Sequence, residues 1–226
     1  MNIFISGIGS GLGEAIASFY LQEKNKVYAI GKKIAPSLKE YNSLYFKYLD
    51  LNYLEKIETA LRELIDQKID IAFLNAAVLG KIETIEESSI KEINDIYTIN
   101  VWANKIILDY FLTNPPKLII AISSGASISG ARGWSSYALS KSSLNMLIKL
   151  YSHEFKDTKL YSLAPGLIDT PMLKSVLKED QEKFPVIKRL ITSPKMTPKE
   201  AAKNIIEKLD SLQTFPSGEY IDIRKI

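Results

Sequence analysis

Short apolar runs alternate with longer stretches of helical periodicity along this whole chain, and the first junction between them carries four glycines. The runs Asn2–Ser6, Lys26–Ile30, Tyr45–Leu49, Ile69–Asn75, Leu118–Ser123, Lys159–Ala164 and Glu219–Ile223 have the length and composition of strands. The stretches Leu12–Glu23, Tyr53–Gln67, Ile90–Leu112, Tyr137–Phe155 and Pro198–Ser211 have the length and pattern of helices. Strands separated by helices pair in parallel, and the helices then cover both faces of one sheet. The expected fold is α/β, a doubly wound parallel sheet of seven strands in one domain spanning residues 1–226. Residues 171–197 break the rhythm, with Pro171–Pro194 polar, charged and weakly periodic. They are expected to form a lid, an excursion over the ligand cleft or a helical surface insertion.

The glycine-bearing junction is Ser6-Gly7-Ile8-Gly9-Ser10-Gly11-Leu12-Gly13, directly between the first strand and the first helix. Gly7 permits a tight turn, Gly11 lets the backbone approach a pyrophosphate, and Gly13 lets the helix pack closely on the sheet. The helix N-terminus adds N–H donors and positive dipole, so a nucleotide site is expected here.

Composition excludes several other chemistries. The 29 basic and 26 acidic residues are interspersed, so no basic face for nucleic acid is expected. With no cysteine and a single histidine, His153, thiolate or histidine metal sites and a Ser-His-Asp hydrolase plan have no material. No run approaches the ~18 apolar residues of a membrane span, and the first residues do not have the make-up of a secretory leader. The expectation is a soluble, cytoplasmic protein without membrane or nucleic-acid partners.

Tyr137 and Lys141 are four apart, so on a helix they share a face, and Ser123 and Ser124 lie shortly upstream. A phenol titrates near ~10, too high for easy proton transfer at neutral pH. An ammonium beside it would lower that value, and a serine hydroxyl could hold a substrate oxygen against the phenol.

Taken in order, these motifs resemble the short-chain dehydrogenase/reductase family across nearly the whole chain. Ser6–Gly13 matches its glycine turn, with Ser6 in place of Thr. Asp50-Leu51 follows the third strand, and Leu74-Asn75-Ala76-Ala77 matches Asn-Asn-Ala-Gly with two replacements. Asn100 begins an Asn-Val pair, Ser124 lies thirteen residues before Tyr137, and Pro165-Gly166-Leu167-Ile168-Asp169-Thr170 matches the family's Pro-Gly loop. The resemblance implies a Rossmann-type fold and a catalytic set of Ser124, Tyr137, Lys141 and Asn100. In that set Tyr137 is the acid, Lys141 lowers its pKa and holds the nicotinamide ribose, and Asn100 relays protons through its backbone and a water. It also implies that Gly7, Ser10, Gly11, Leu12 and Gly13 bind the dinucleotide. Lys32, Asp50, Leu51, Asn75, Ala76 and Ala77 would join them, as would Tyr137, Lys141, Pro165, Gly166, Ile168 and Thr170.

Gly31 stands where NAD-selective members carry an aspartate, and Lys32 and Lys33 follow it, a pattern that favours NADP (NADPH) over NAD. Gly133-Trp134 ahead of Tyr137, and the tail Ser217-Gly218-Glu219-Tyr220-Ile221-Asp222, resemble sepiapterin reductases and bacterial benzil reductases. Trp134 and Asp222 are therefore candidate substrate ligands beside Ser124 and Tyr137, for a small-molecule ketone or vicinal dicarbonyl. The resemblance further implies a homodimer or homotetramer built through the long helices. An alternative is a protein of this fold that senses nucleotide or signals with little turnover. A sugar epimerase or dehydratase is a third reading, for which the region after the Pro-Gly loop is short.

Overall fold

The computed structural model describes residues 1–226. Seven strands, β1 (Asn2–Ser6), β2 (Lys26–Gly31), β3 (Leu44–Tyr48), β4 (Ile71–Leu74), β5 (Leu118–Ile122), β6 (Lys159–Ala164) and β7 (Tyr220–Asp222), form one parallel sheet. Their order is β3-β2-β1-β4-β5-β6-β7. The central strands β4 and β5 are apolar at every position, because both faces are covered. Alternate residues go to opposite sides: Ile3 and Ile5 of β1 enter one core and Phe4 the other, and Ile120 and Ile119 of β5 divide likewise.

The first core lies under α1 (Gly11–Gln22), with Ile16, Ala17 and Tyr20 buried, and is shared with a C-terminal helix, Pro198–Glu207. The second lies under α2 (Ile57–Leu64) and two further helices, Ala103–Leu112 and Ser135–Tyr151. Each fully buried isoleucine or leucine contributes about 1.5–3 kcal/mol relative to exposure, which fixes the register of both layers.

Most departures from expectation are interruptions of helices. Tyr53–Gln67 begins with a 3-10 turn, Leu54–Lys56, and α2 stops at Leu64, where Ile65 turns extended. Ile90–Leu112 is not one α-helix. It is α3 (Ile90–Tyr97), a π turn over Thr98–Trp102, and α4 (Ala103–Leu112). After the short α5 (Ala126–Ser129) comes α6 (Ser135–Tyr151). Residues 171–194 hold α7 (Pro171–Val176) and α8 (Val186–Thr192); Val176, Ile187 and, between the helices, Phe184 make a small buried cluster against Leu79, Ile82 and Trp134. The polar surface of that segment hid this apolar underside. The predicted Pro198–Ser211 helix breaks at Lys208 into α9 (Pro198–Glu207) and α10 (Leu209–Leu212). No helix is long and apolar enough to cross a membrane.

The strand order reverses direction between β1 and β4, the switch point where open sheets of this kind leave a crevice at the carboxyl ends of their strands.

Candidate active site

The turn after β1 and the end of β4 are stitched together across that crevice. Backbone N–H groups of Asn75 and Ala76 both donate to Ser6 Oγ at 3.0 Å. Asn75 Nδ2 donates to the carbonyls of Gly7 at 2.8 Å and Ser6 at 3.2 Å. Gly13 cannot be anything larger, because a Cβ there would lie 2.0 Å from the Gly7 oxygen and 2.4 Å from Asn75 Nδ2. Gly7 has φ +78°, and a Cβ on it would press on Ala76 Cα at 2.9 Å. Ser10 precedes α1 in extended backbone and makes no side-chain bond to it, so the leading N–H groups of the helix have no side-chain cap. A pyrophosphate suits that position.

From this turn one cleft of about 420 Å³ runs across the ends of the strands. The residues expected to hold a dinucleotide, from Gly7 through Thr170, all line it, as do Ser124, Trp134, Tyr137 and Lys141. At the β2 end Lys32 pairs with Asp50 at 3.0 Å. The Asn52 backbone N–H and then Lys32 hold the Asp50 carboxyl below the usual carboxylate range. Lys33, named in the sequence only as a neighbour of Lys32, also lines the cleft, its stem lying across Gly9, where a Cβ would meet Lys33 Cγ at 2.5 Å. The glycine cradle, the uncapped helix and this cationic rim fit a nicotinamide dinucleotide.

At the other end Ser124 follows β5, and α6 presents Tyr137 and Lys141 one turn apart. Lys141 is 2% exposed, and its Nζ donates to the Ile122 carbonyl at 2.6 Å. Burial pulls its pKa down to about 7. Its ammonium is 5.9 Å from the Tyr137 ring centroid. Burial raises the Tyr137 pKa, with the Ser124 hydroxyl opposing, and Lys141 is turned towards the strand.

Asn100 does not line the cleft. It is fully buried in the π turn, where Oδ1 accepts from the Val78 N–H at 2.9 Å. Its Nδ2 donates to the Val78 carbonyl at 2.9 Å and to Ser140 Oγ at 3.0 Å. Its own carbonyl accepts from Asn104 Nδ2 at 2.9 Å. The side chain of Asn100 thereby clamps the loop after β4 to α6.

Asp222 is also corrected. Its carboxylate is taken by Arg224, at 2.8 Å from Nε and 2.6 Å from the terminal nitrogen, and it is absent from the cleft lining. The Arg224 stem packs on Gly166 instead, so Asp222 supports the Pro-Gly loop from behind.

The rest of the cleft near Tyr137 is neutral. Val78, Leu79, Trp134, Met172, Leu173 and Val176 line it, with the Trp134 and Tyr137 ring centroids 6.0 Å apart. Thr170 caps α7 by accepting from the Leu173 N–H, which sets that helix over the opening. The sequence reading did not single out the lining residues from α7, because their spacing shows no long periodic stripe.

The short chain dehydrogenase family model matches residues 1–181. A benzil reductase ((S)-benzoin forming) of Bacillus cereus is 29% identical over 98% of both chains. A sepiapterin reductase of Xenopus tropicalis is 24% identical over 76% of this chain and 72% of its own. Among solved structures, a protein of Beutenbergia cavernae described as an NAD(P) dependent gluconate 5-dehydrogenase, with NADP bound at low occupancy, superposes with TM-score 0.83. It shares 23% identity and covers 98% of this chain and 94% of its own.

Proposed function

The chain is a member of the short chain dehydrogenase family, oxidoreductases that use NAD(P), and on that premise we propose that it is an NADPH-dependent carbonyl reductase. The observation that carries this reading is the meeting of Ser124, Tyr137 and Lys141 in the same cleft as the glycine turn. The neutral walls around Tyr137 suit an uncharged ketone or vicinal dicarbonyl, in line with the benzil reductase relative.

A bound nicotinamide would supply the hydride. The Ser124 hydroxyl and the Tyr137 phenol hold the substrate's carbonyl oxygen, and Tyr137 gives its proton to that oxygen as negative charge develops there. A phenol raised by burial is fully protonated at neutral pH, the state a proton donor needs. Lys141, with a pKa of about 7, is a nearby group able to carry a replacement proton. Lys32 and Lys33 would favour a 2′-phosphate, and no carboxylate follows β2 directly to repel it. Residues 171–197 would act as a lid, held down by the Lys183–Glu87 pair at 2.6 Å and by Phe184 under Gly133.

The experiment is nicotinamide absorbance against time with NADPH and with NADH over diketones, quinones, aldehydes and pterin carbonyls. The expected result is consumption of NADPH in preference to NADH with at least one diketone. Protein that binds NADPH but consumes none with any carbonyl would turn the reading towards nucleotide sensing.

A further inference from the structure

Ser124 stands on the irregular link between β5 and α5, whereas Tyr137 and Lys141 are fixed by α6. A hydroxyl on such a link must be held, since a misplacement of about 1 Å can cost on the order of a hundredfold in rate. Ser124 Oγ accepts from the Ala126 N–H at 3.2 Å, and the backbone that carries it is held from α6, one turn beyond Lys141. Asn145 Oδ1 accepts from the Ser123 hydroxyl at 2.6 Å, and Asn145 Nδ2 donates to Ser127 Oγ at 2.9 Å. Ser127 Oγ in turn donates to the Ser124 carbonyl at 2.6 Å. Ser142 Oγ donates to the Ser127 carbonyl at 2.9 Å, tying the far end of the link to the same helix.

These bonds run in one direction from Ser123 through the amide to Ser127 and back to Ser124. Each side of Ser124, and its own carbonyl, is thereby referred to a single side chain. Ser123 and Ser127 are 3% and 8% exposed, so water competes little and the network holds firmly. Asn145 itself does not line the cleft.

We infer that Asn145 is a positioning residue, fixing the Ser124 hydroxyl opposite Tyr137 without touching substrate. The inference rests on the reductase reading. It separates substrate orientation, set by Asn145, from dinucleotide affinity, set at the other end of the cleft.

The test measures kcat and KM for a diketone that the wild type reduces, Kd for NADPH by fluorescence, and Tm. Asn145→Leu removes both bonds at similar volume, Asn145→Asp keeps the acceptor for Ser123, and Ser127→Ala cuts the link to the Ser124 carbonyl. In Asn145→Leu, kcat is expected to fall about tenfold, equivalent to ~1.4 kcal/mol, with Kd for NADPH unchanged. Asn145→Asp recovers part of the loss, and Ser127→Ala shares it. In a Ser124→Ala background neither Asn145→Leu nor Ser127→Ala lowers kcat further, because the group being positioned is gone. Should Asn145→Leu not fold, the Ser127→Ala and Ser124→Ala pair carries the test. Folded variants with unchanged kcat, or a loss that persists without the Ser124 hydroxyl, overturn the inference. A wild type that reduces no carbonyl overturns the reductase reading instead.

Discussion

Lys141 sits against the Ile122 carbonyl with its amine pKa at about 7, against an ordinary 10.5. Between those two values the unfolded chain binds a proton that the folded chain does not, so stability rises with pH across that window. Below it both states are charged and the contribution is flat at its lowest. The urea midpoint of the ligand-free wild type is therefore expected to climb from pH ~7 to ~9.5, and Lys141→Met is expected to lose most of that slope. Equal slopes in the two proteins would contradict the burial argument. Ser124, Tyr137 and Lys141 were legible because their chemistry goes with fixed spacing. Asn145 was legible in principle, four residues past Lys141 on the same face, but an amide carries no chemical signature until its partners are seen. Asp222 misled because a carboxylate near the end of a chain says nothing of the arginine two residues on that takes it.

The π turn at Thr98–Trp102 shows what helical periodicity conceals. Apolar spacing in Ile90–Leu112 fits one helix well enough, and the extra residue is revealed only by where the Asn100 side chain goes. Asn100→Ala would leave the Val78 N–H, the Val78 carbonyl and the Ser140 hydroxyl short of a partner. At about 1–3 kcal/mol for a buried polar group left unpaired, the expected loss is ~3 kcal/mol by urea denaturation. A loss below ~1 kcal/mol would show that α3 and α4 hold that turn without the clamp. The strands were easier to read, because apolar runs buried on both faces have few other places to go. The segment over the cleft was hardest, since α7 and α8 bury only one side of short helices.

At the scale of the molecule, the doubly wound sheet and the glycine turn were legible together, because alternation of elements and a turn chemistry at their first junction point to one crevice. Assembly is less legible in sequence, since outward apolar residues look like core. In the structure α6 leaves Leu139, Met146 and Leu150 exposed by 42%, 56% and 57%, and Trp102 lies exposed by 46% in the π turn between α3 and α4. We expect these faces to pair copies of the chain, so light scattering at micromolar concentration should give a dimer or tetramer, and a monomer would contradict it. The central claim, that Tyr137 protonates a carbonyl as hydride arrives, is tested most directly by isotope transfer. Wild type and Tyr137→Phe are each given a vicinal diketone and NADPH deuterated at the transferable position, and the product alcohol is weighed by mass spectrometry. The account predicts one deuterium on the new carbinol carbon with wild type and almost no labelled alcohol with Tyr137→Phe at NADPH concentrations that saturate it. Labelled alcohol formed as fast by Tyr137→Phe, or none formed by the wild type, would contradict it.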